Sequence, residues 1–533
     1  MAEGMERLTI RIINLRHAAD LETGLGHIAA SFLDIAESCL TDIRILRRAT
    51  DARQERVDFV YTVAVTVEAD SATLQRLLAR PGISQHQVQE LPAHAKIARL
   101  KDRPVVVGSG PAGLFAALTL VERGAPPIVI ERGERIKHRA ATVDRFWRQG
   151  LLNPESNALY GEGGAGTFSD GKLTTRTKSP LKEKVFKTLI AMGAEPAVAF
   201  ESKPHIGTDR LQKIIPALVD ELQRRGADFL FETRVSDIAV EQGQVTGLTA
   251  GGRHISTGTV FLATGHSSRD MYRMLHEKGV VLEHKGFAVG LRIEHPQELI
   301  NKAMRGPGAK NPALGSADYF FSHKDAESGR GVYSFCMCPG GFVIGCATSD
   351  GELCTNGMST YSRNTGRANS ALVVTVREDD FKARGPLAGI AFQEQLERAA
   401  FDAGGGGFFA PVQRAADFMS STPTDLPAQD MHCSYSPGVT PADLRLLLPD
   451  FICSPLQRGL ASFDKKLQGF ISQGVLIGVE TRTSSPLRIV RDKDTYHARG
   501  IRGLIPVGEG SGYAGGIVSS AVDGMQGALH FDG

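Results

Sequence analysis

The pattern of apolar and polar positions is most regular between residues 103 and 133. The apolar run Val105–Val107 indicates a buried parallel strand, and the stretch 112–121 indicates a helix that Gly124 ends. A second apolar run, Ile128–Ile130, indicates another buried strand. The pattern therefore predicts a strand–helix–strand unit with two parallel strands.

A glycine motif joins the first strand of this unit to its helix. Residues 108–113, GSGPAG, fit G-x-G-x-x-G, and Glu131 ends the second strand. In such a unit Gly108 permits the tight turn, Gly110 lets a pyrophosphate approach the backbone, and Gly113 lets the helix pack on the strand. The helix N-terminus attracts phosphate, and Glu131 lies where an acid accepts hydrogen bonds from a ribose. An ordinary glycine turn would not require Glu131, so the sequence predicts a bound dinucleotide.

Residues 1–92 carry a different pattern, which closes before this unit begins. An alternating strand, a helix over 21–35, a strand pair, a short helix and a last strand near 84–89 follow one another. This β-α-β-β-α-β order predicts a ferredoxin-like α+β domain, with a linker over 93–102. Basic and acidic residues are nearly balanced here, so the sequence favours a docking or stabilising domain over a ligand-binding one.

Two stretches between 134 and 280 extend the predicted binding site. Residues 161–173, GEGGAGTFSDGKL, leave many backbone N–H groups uncovered and can wrap a flat or anionic ligand. A flexible surface loop is the alternative. Further on, a helix over 208–226 and a small antiparallel meander precede a strand that ends on ATG at 263–265. A turn of this kind is what a second nucleotide contact requires.

The pattern changes again between residues 281 and 470, where strands of antiparallel type alternate with two long helical stretches. After it, an apolar strand at 504–507 leads through glycines at 508–512 into a helix that opens at 514–517. We therefore predict an α/β fold: a Rossmann-type nucleotide-binding domain at 103–280 and 471–533, interrupted by an inserted α+β substrate domain at 281–470.

Composition narrows the classes of function. Of the 533 residues, 42% are hydrophobic and 23% are charged, and the net charge of +2 gives no indication of nucleic acid or acidic membranes as partners. No stretch approaches the roughly 18 apolar residues of a membrane span, and the N-terminus lacks a signal-peptide core. Seven cysteines, an odd and sparse set, favour a reducing cytoplasm.

Taken together, these motifs resemble a known family. GSGPAG with Glu131, ATG at 263–265 and PVGEGSGYAGGI at 506–517 follow the order found in FAD-binding flavoproteins of the glutathione reductase-like clan. The stretches 161–173, 333–363 and 478–489 resemble, more specifically, a poorly characterised bacterial family of FAD-dependent dehydrogenases. The resemblance runs from about residue 100 to the end and implies an oxidoreductase with FAD. Because no His or Cys except His266 adjoins a matched flavin contact, we expect the FAD to be non-covalent.

The resemblance also implies which residues hold FAD. Gly108, Gly110, Ala112 and Gly113 would face the pyrophosphate, Glu131 the ribose and Val235 the adenine. The remaining implied contacts would lie along the pyrophosphate, flavin, ribityl chain and pyrimidine edge: Pro111, Arg132, Gly164, Ala165, Gly166, Thr167, Ala263, Thr264, Gly265, Gly508, Glu509, Gly515, Gly516 and Ile517. Many relatives carry Asp where this chain has Glu509, which puts the carboxylate one methylene further out.

The candidates for catalysis are weaker: Cys336, Cys338, His266 and Arg292. His266 follows ATG directly. Arg292 shares a predicted strand face with Glu294, so the two side chains could simply pair. A hairpin turn at 339–341 would place Cys338 opposite Phe342 and Cys336 opposite Ile344, with Ser334 opposite Cys346.

In such a hairpin, three cysteines would lie along one side. Small buried residues on a sheet face are the plainest interpretation. A substrate-side or redox role is the alternative, and we predict no metal because the spacing, even with Cys354 added, fits no zinc ribbon.

Three classes of function stay open at this point. The first is an FAD oxidoreductase acting on a small organic substrate held between the FAD lobe and residues 281–470. The others are a flavin enzyme that modifies RNA, which the charge balance disfavours, and a regulatory protein that uses FAD structurally. Because no second strand–glycine–helix unit occurs between 134 and 500, any NAD(P)H would visit the substrate pocket transiently, or a protein would deliver or accept the electrons.

Overall fold

The computed structural model describes residues 5–18, 24–51, 57–87, 95–97, 100–311, 314–381 and 385–532. The predicted helix start at 21–23, the strand end at 88–89 and part of the 93–102 linker lie outside these residues. Within the linker, the side chains of Ile97 and Leu100 pack against the core of the nucleotide-binding lobe.

The N-terminal region has the predicted ferredoxin-like topology. Its elements are β1 (Glu6–Ala18), α1 (Leu25–Leu33), β2 (Leu40–Asp51), β3 (Asp58–Ala69), α2 (Ser71–Leu78) and β4 (Ile83–Gln85). The antiparallel sheet has the order β2-β3-β1-β4, and its alternating apolar side chains form a separate core with the two helices. Asp70 caps α2 by accepting a hydrogen bond from the Thr73 N–H at 2.7 Å.

One strand edge attaches this region to the rest of the chain. The Arg48 N–H of β2 donates to the Phe200 carbonyl at 2.7 Å, and the Ser202 N–H donates to the Arg48 carbonyl at 2.8 Å. The Arg48 guanidinium also bonds the Glu201 carboxylate at 2.8 Å. The segment around residue 201 therefore covers the edge of β2, whose backbone groups would otherwise be unpaired.

The nucleotide-binding lobe is built on a five-stranded parallel sheet. Its first part contains β5 (Val105–Val107), α3 (Pro111–Glu122), β6 (Ile128–Ile130), α4 (Ile136–Gln149), α5 (Leu181–Ala191), α6 (Thr208–Arg224), β7 (Asp228–Leu230), β8 (Val235–Glu241), β9 (Gln244–Ala250), β10 (Arg253–Ser256), β11 (Val260–Leu262) and α7 (Arg269–Glu277). The predicted meander is the antiparallel sheet β10-β9-β8. The predicted strand–helix–strand unit is β5, α3 and β6.

The inserted region has a larger sheet. Its elements are β12 (Leu282–His284), β13 (Phe287–Pro296), α8 (Gln297–Arg305), β14 (Ser322–Lys324), β15 (Gly331–Pro339), β16 (Phe342–Cys346), β17 (Cys354–Met358), β18 (Arg367–Val376), α9 (Ala388–Ala403), β19 (Ala410–Arg414), α10 (Ala415–Ser420), β20 (Val439–Pro441), α11 (Asp450–Lys466) and β21 (Val475–Glu480). Seven strands follow the order β14-β15-β18-β13-β21-β19-β20, antiparallel except for the β19–β20 pair. The sheet therefore continues to Glu480, ten residues past the predicted end of the region at 470.

The last part of the chain returns to the first sheet, as predicted. β22 (Leu487–Ile489) pairs with β12, β23 (Leu504–Pro506) joins the parallel sheet beside β11, and α12 (Ile517–Leu529) packs on α3. The parallel sheet thus reads β23-β11-β5-β6-β7. Gly524 permits the close helix contact, because a Cβ there would lie 2.0 Å from the Ala112 carbonyl oxygen. Within the described part of the chain, no helix is both long and apolar enough to cross a membrane.

Candidate functional site

A cavity of about 870 Å³ lies at the carboxyl ends of three parallel strands. Val107, Ile130 and Ala263, which end or directly follow β5, β6 and β11, all contribute to its wall. Open α/β sheets bind ligands at this edge, where the loops after neighbouring strands separate. The opposite wall comes from β15, β17 and the chain after β21.

The first glycine turn has the geometry that the motif requires. Gly108 has φ +103°, in the region that favours glycine. A Cβ on Gly113 would lie 1.9 Å from the Gly108 carbonyl oxygen, so that glycine is needed for the helix to meet the turn. A Cβ on Gly110 would have only the Gly164 Cα within 4 Å, at 3.8 Å. Gly110 therefore leaves space on the cavity side, where a phosphate could approach.

Glu131 holds three backbone segments together at the cavity wall. Its carboxylate accepts hydrogen bonds from the Ser109 N–H at 2.9 Å, the Ser109 hydroxyl at 2.8 Å, and the Gly133 and Gly161 N–H groups at 3.0 Å each. The side chain is buried, yet it lines the cavity. The carboxylate thus fixes the first turn and the glycine-rich loop, a role that sequence reasoning did not assign to it.

The glycine-rich loop is fixed from behind by a buried arginine. The Arg139 guanidinium on α4 donates to the carbonyls of Asn157, Glu162 and Gly164 at 2.7–3.0 Å. Burial lowers the pKa of Arg139 to about 10, which leaves it charged at neutral pH. The loop is therefore held in place rather than freely flexible. Nothing in the helical pattern of α4 distinguishes Arg139 from the other polar residues of the helix.

Most residues predicted to hold the cofactor line this one cavity: Gly108, Gly110, Pro111, Ala112, Glu131, Arg132, Gly164, Ala165, Gly166, Val235, Ala263, Thr264, Gly265, Glu509, Gly515, Gly516 and Ile517. Gly113 and Gly508 lie behind the wall and permit close packing, since a Cβ on Gly508 would lie 2.6 Å from the Ala112 Cβ. Thr167 also lies behind it, with its hydroxyl donating to the Glu162 carbonyl at 3.2 Å. The resemblance placed Thr167 against the flavin, whereas the structure turns it into the loop.

His266 and Glu509 lie next to each other on the cavity wall. The His266 Nδ1 lies 3.4 Å from the Glu509 Oε1. Burial acts to raise the pKa of Glu509, but His266 and nearby donors outweigh it and the pKa is lowered, so the carboxylate is ionised. The buried Nε2 of His266 has no hydrogen-bond partner among the described residues.

A polar ligand would satisfy that nitrogen. Nearby, a Cβ on Gly265, Gly515 or Gly516 would meet nothing within 4 Å. The orphaned nitrogen and the open glycine cradle both fit a bound dinucleotide, with the N-terminus of α12 aimed into the same space.

The cysteine hairpin predicted at 339–341 is wrong. β15 pairs with β14 and β18, whereas β16 pairs with β17, so Cys346 lies opposite Cys354 and not opposite Ser334. The ladder of β15 is irregular between Phe335 and Cys338, and Cys336 has φ +44°. This bulge turns Cys336 toward the cavity, where it is exposed while Cys338 is buried. Cys336, Cys338, Cys346 and Cys354 all line the cavity.

Arg292 is not part of the cavity wall, and its predicted pairing with Glu294 is wrong. The Arg292 guanidinium is fully buried and bonds the carboxylate of Glu480 on β21, because the two strands are neighbours in the sheet. Glu294 instead accepts hydrogen bonds from Ser434. Arg292 therefore acts behind the wall, as a group that positions other side chains.

Sequence reasoning did not single out several side chains of the wall, of which two matter most for binding. Lys172, in the glycine-rich loop, and Asn356, on β17, both line the cavity. The lysine among the glycines was a usable signal. Asn356 could not have been found, because only the pairing of β16 with β17 brings it there.

Comparison with known proteins agrees with this architecture. Residues 102–295 match the pyridine nucleotide-disulphide oxidoreductase family, and residues 286–483 match the domain described as FAD-dependent protein, C-terminal domain-like. Residues 9–66 match a domain of unknown function.

An uncharacterised protein of Clostridium beijerinckii is 41% identical over 527 residues, which are 98% of each chain. The probable electron transfer flavoprotein-quinone oxidoreductase YdiS of Escherichia coli is 29% identical over 164 residues, 31% of this chain and 36% of YdiS. A geranylgeranyl bacteriochlorophyll reductase-like structure from Thermoplasma acidophilum aligns with 80% of this chain and 77% of its own at 12% identity and a TM-score of 0.35. With its two domain matches and a full-length relative, the chain belongs to the family of FAD-dependent oxidoreductases that join a pyridine nucleotide-disulphide oxidoreductase domain to this C-terminal domain.

Proposed function

We propose that the protein is an FAD-dependent dehydrogenase whose small organic substrate binds between the nucleotide-binding lobe and the inserted region. The observation that carries this proposal is the single cavity shared by the two parts. Its one wall is made of glycine turns at strand ends, and its other wall is made of polar and thiol side chains from β15 and β17. A cofactor on the first wall would face a substrate on the second.

The chain's own residues have distinct tasks in this proposal. The turn at 108–113 and the N-terminus of α3 would receive the pyrophosphate, and the Glu131 carboxylate, which accepts four hydrogen bonds within the protein, would take the ribose hydroxyls in place of one or more of them. His266 would meet the cofactor through its unpaired Nε2, oriented by Glu509. FAD, when bound, supplies the two-electron redox step, and the protein supplies binding, orientation and exclusion of water.

The number of nucleotide-binding turns in the fold bears on the source of the electrons. The parallel sheet carries one glycine turn of the G-x-G-x-x-G type, and the inserted region is built on mainly antiparallel strands. We therefore infer that NAD(P)H binds weakly in the substrate space, or that electrons pass to or from the substrate or a protein partner. The partial match to YdiS, described as a probable electron transfer flavoprotein-quinone oxidoreductase, supports a protein partner.

The test begins with the cofactor. Purified protein should be yellow, and heat or acid precipitation should release FAD into the supernatant. Reduction by candidate substrates is then followed anaerobically as bleaching of the flavin absorbance band. A colourless protein that takes up no FAD on reconstitution would contradict the proposal. A yellow protein that no organic reductant, nicotinamide or electron-transfer protein can bleach would favour a structural role for FAD instead.

A further inference from the structure

We propose that the substrate carries a carboxylate, and that Lys172 of the glycine-rich loop and Asn356 of β17 bind it where the loop meets the wall formed by β15 and β17. This inference rests on the proposed function, because it concerns the substrate side of the same cavity. The inference is based on the N–H donors of the two side chains that are not used in hydrogen bonds within the protein.

The amide of Asn356 is oriented by its neighbours. Its Oδ1 accepts hydrogen bonds from the Gly357 N–H at 2.7 Å and from the Arg292 guanidinium at 3.3 Å. Both partners are donors only, so the oxygen must face them and the nitrogen must face away. Both hydrogen bonds of the Asn356 side chain within the described ranges are made by Oδ1, and Asn356 lines the cavity. The amide therefore offers N–H donors to a ligand.

Lys172 offers donors from the adjacent loop. Its Nζ lies 3.0 Å from the Asp170 Oδ2 and 3.8 Å from the Cys338 Sγ, and the side chain, which lines the cavity, is 33% exposed. Burial acts to lower the pKa of Lys172, but the ion pair with Asp170 opposes it and the pKa is raised. The ammonium is therefore charged, and one carboxylate does not use all three of its N–H groups.

Cys338 links the two donors in space. Its Sγ contacts Lys172, and a Cβ placed on Gly357 would lie 2.8 Å from the same sulfur. Asn356 is the neighbour of Gly357 on β17, so Lys172 and Asn356 both line the cavity in the neighbourhood of this one thiol. The exposed Cys336 adds a weak S–H donor beside them.

The local charge favours an anion over a neutral acceptor. Three cations, Lys172, Arg292 and Arg363, form ion pairs with two carboxylates beside the thiols, Asp170 and Glu480. Asp170 pairs with both Lys172 and Arg363, whereas Glu480 pairs with Arg292 alone. Within this group of paired side chains, one positive charge is therefore left over at a wall that presents donors. A carboxylate accepts from both Lys172 and Asn356 and neutralises this charge, and charge-assisted bonds of this kind are the strong ones.

The test uses the full-length yellow protein and matched pairs of probes: acetate with acetamide, and benzoate with benzamide. Binding is followed as a shift of the flavin absorbance spectrum and, independently, by calorimetry. We expect the acids to bind at least about tenfold more tightly than the amides. Lys172→Met should remove this preference. Asn356→Asp should weaken acid binding by a similar factor, because it keeps the bonds from Arg292 and Gly357 and replaces the amide donors by a negative charge.

Lys213→Met, on the exposed face of α6, is the matched control and should leave the preference unchanged. Unaltered melting temperature and FAD content show that each variant is folded. Equal binding of acids and amides, no binding of either acid, or full acid preference in Lys172→Met would overturn the inference. A protein without FAD contradicts the proposed function instead, so the two failures are distinguishable.

Discussion

Arg292 on β13 and Glu480 on β21 form a two-point ion pair inside the inserted region. The Arg292 Nε lies 2.9 Å from the Glu480 Oε2, and the second guanidinium nitrogen lies 3.1 Å from Oε1. Burial acts to lower the pKa of Arg292, but Glu480 outweighs it and the pKa is raised. The same guanidinium bonds Asn356 and the Cys336 carbonyl, so the pair links the sheet to the cavity wall.

Breaking this pair from one side should be costly. Glu480→Gln leaves the Arg292 charge buried without its partner, and removal of one member of a buried pair costs about 3–5 kcal/mol. Asp144→Asn in the exposed pair Arg148–Asp144 is the control and should change the stability by less than about 0.5 kcal/mol. Urea unfolding of both variants checks the difference. Equal stability of the two variants would show that the buried pair is not a structural support.

The two inner glycines of the first turn should respond differently to valine. Gly110→Val places a side chain in the open space that faces the cavity, so we expect loss of FAD with a small change in the melting temperature of the FAD-free protein. Gly113→Val meets the Gly108 carbonyl oxygen, which should mainly lower the melting temperature. The ratio of flavin to protein absorbance and a thermal scan separate the effects. Full FAD content in folded Gly110→Val would contradict the assignment of the turn.

His295 should make the stability depend on pH. Burial lowers the pKa of His295 from 6.5 to about 4, and its Nε2 lies 2.8 Å from the Phe470 carbonyl oxygen. In the unfolded chain this histidine therefore becomes protonated below pH 6.5, whereas in the folded protein it stays neutral until about pH 4. The stability from this site is present above pH 6.5 and is lost as the pH falls toward 4, on the order of 3 kcal/mol in full.

His295→Gln should reduce the slope of the unfolding free energy between pH 6.5 and 4, because glutamine can donate to the same carbonyl without titrating. The exposed His254→Gln is the control and should keep the wild-type slope. Denaturant unfolding at half-unit pH intervals provides the measurement. An unchanged slope in His295→Gln would show that folding does not lower the pKa of this histidine.

The N-terminal region should be dispensable for FAD binding. Its elements form their own core, and its described contacts with the lobe include the strand edge at Arg48. A chain that begins at Leu100 loses the packing of Ile97, yet it keeps every cavity residue, so it should still bind FAD. Absorbance of the purified fragment tests this. Insoluble or colourless protein would show that the first 99 residues are integral to the fold.

Nicotinamide binding should be weak. We expect flavin reduction by NADH or NADPH in stopped-flow mixing to rise without saturation in the micromolar range, because the lobe has one glycine turn of the required type and the resemblance assigns that turn to FAD. Saturation with a micromolar dissociation constant, the scale of ordinary enzyme substrates, would reveal a dedicated nicotinamide site.

The sequence by itself determined the elements that local chemistry specifies. The turn at 108–113 and the strands on either side of α3 were predictable, because buried parallel strands need continuous apolar runs and the turn needs glycine at fixed positions. The order of the N-terminal strands was predictable for a similar reason, since alternating positions show which stretches are half-buried strands.

Tertiary structure alone decided which side chains meet across the cavity. Strand pairing over long sequence separations placed Arg292 beside Glu480, although Glu294 is only two residues away. The bulge at Cys336 and the pairing of β16 with β17 overturned the predicted hairpin and brought Asn356 to the wall. The side-chain period of a strand is two residues, so one irregular position changes which residues face the cavity. The sequence of residues 331–358 does not indicate locally which side chains face the cavity, because the packing of the whole sheet determines it.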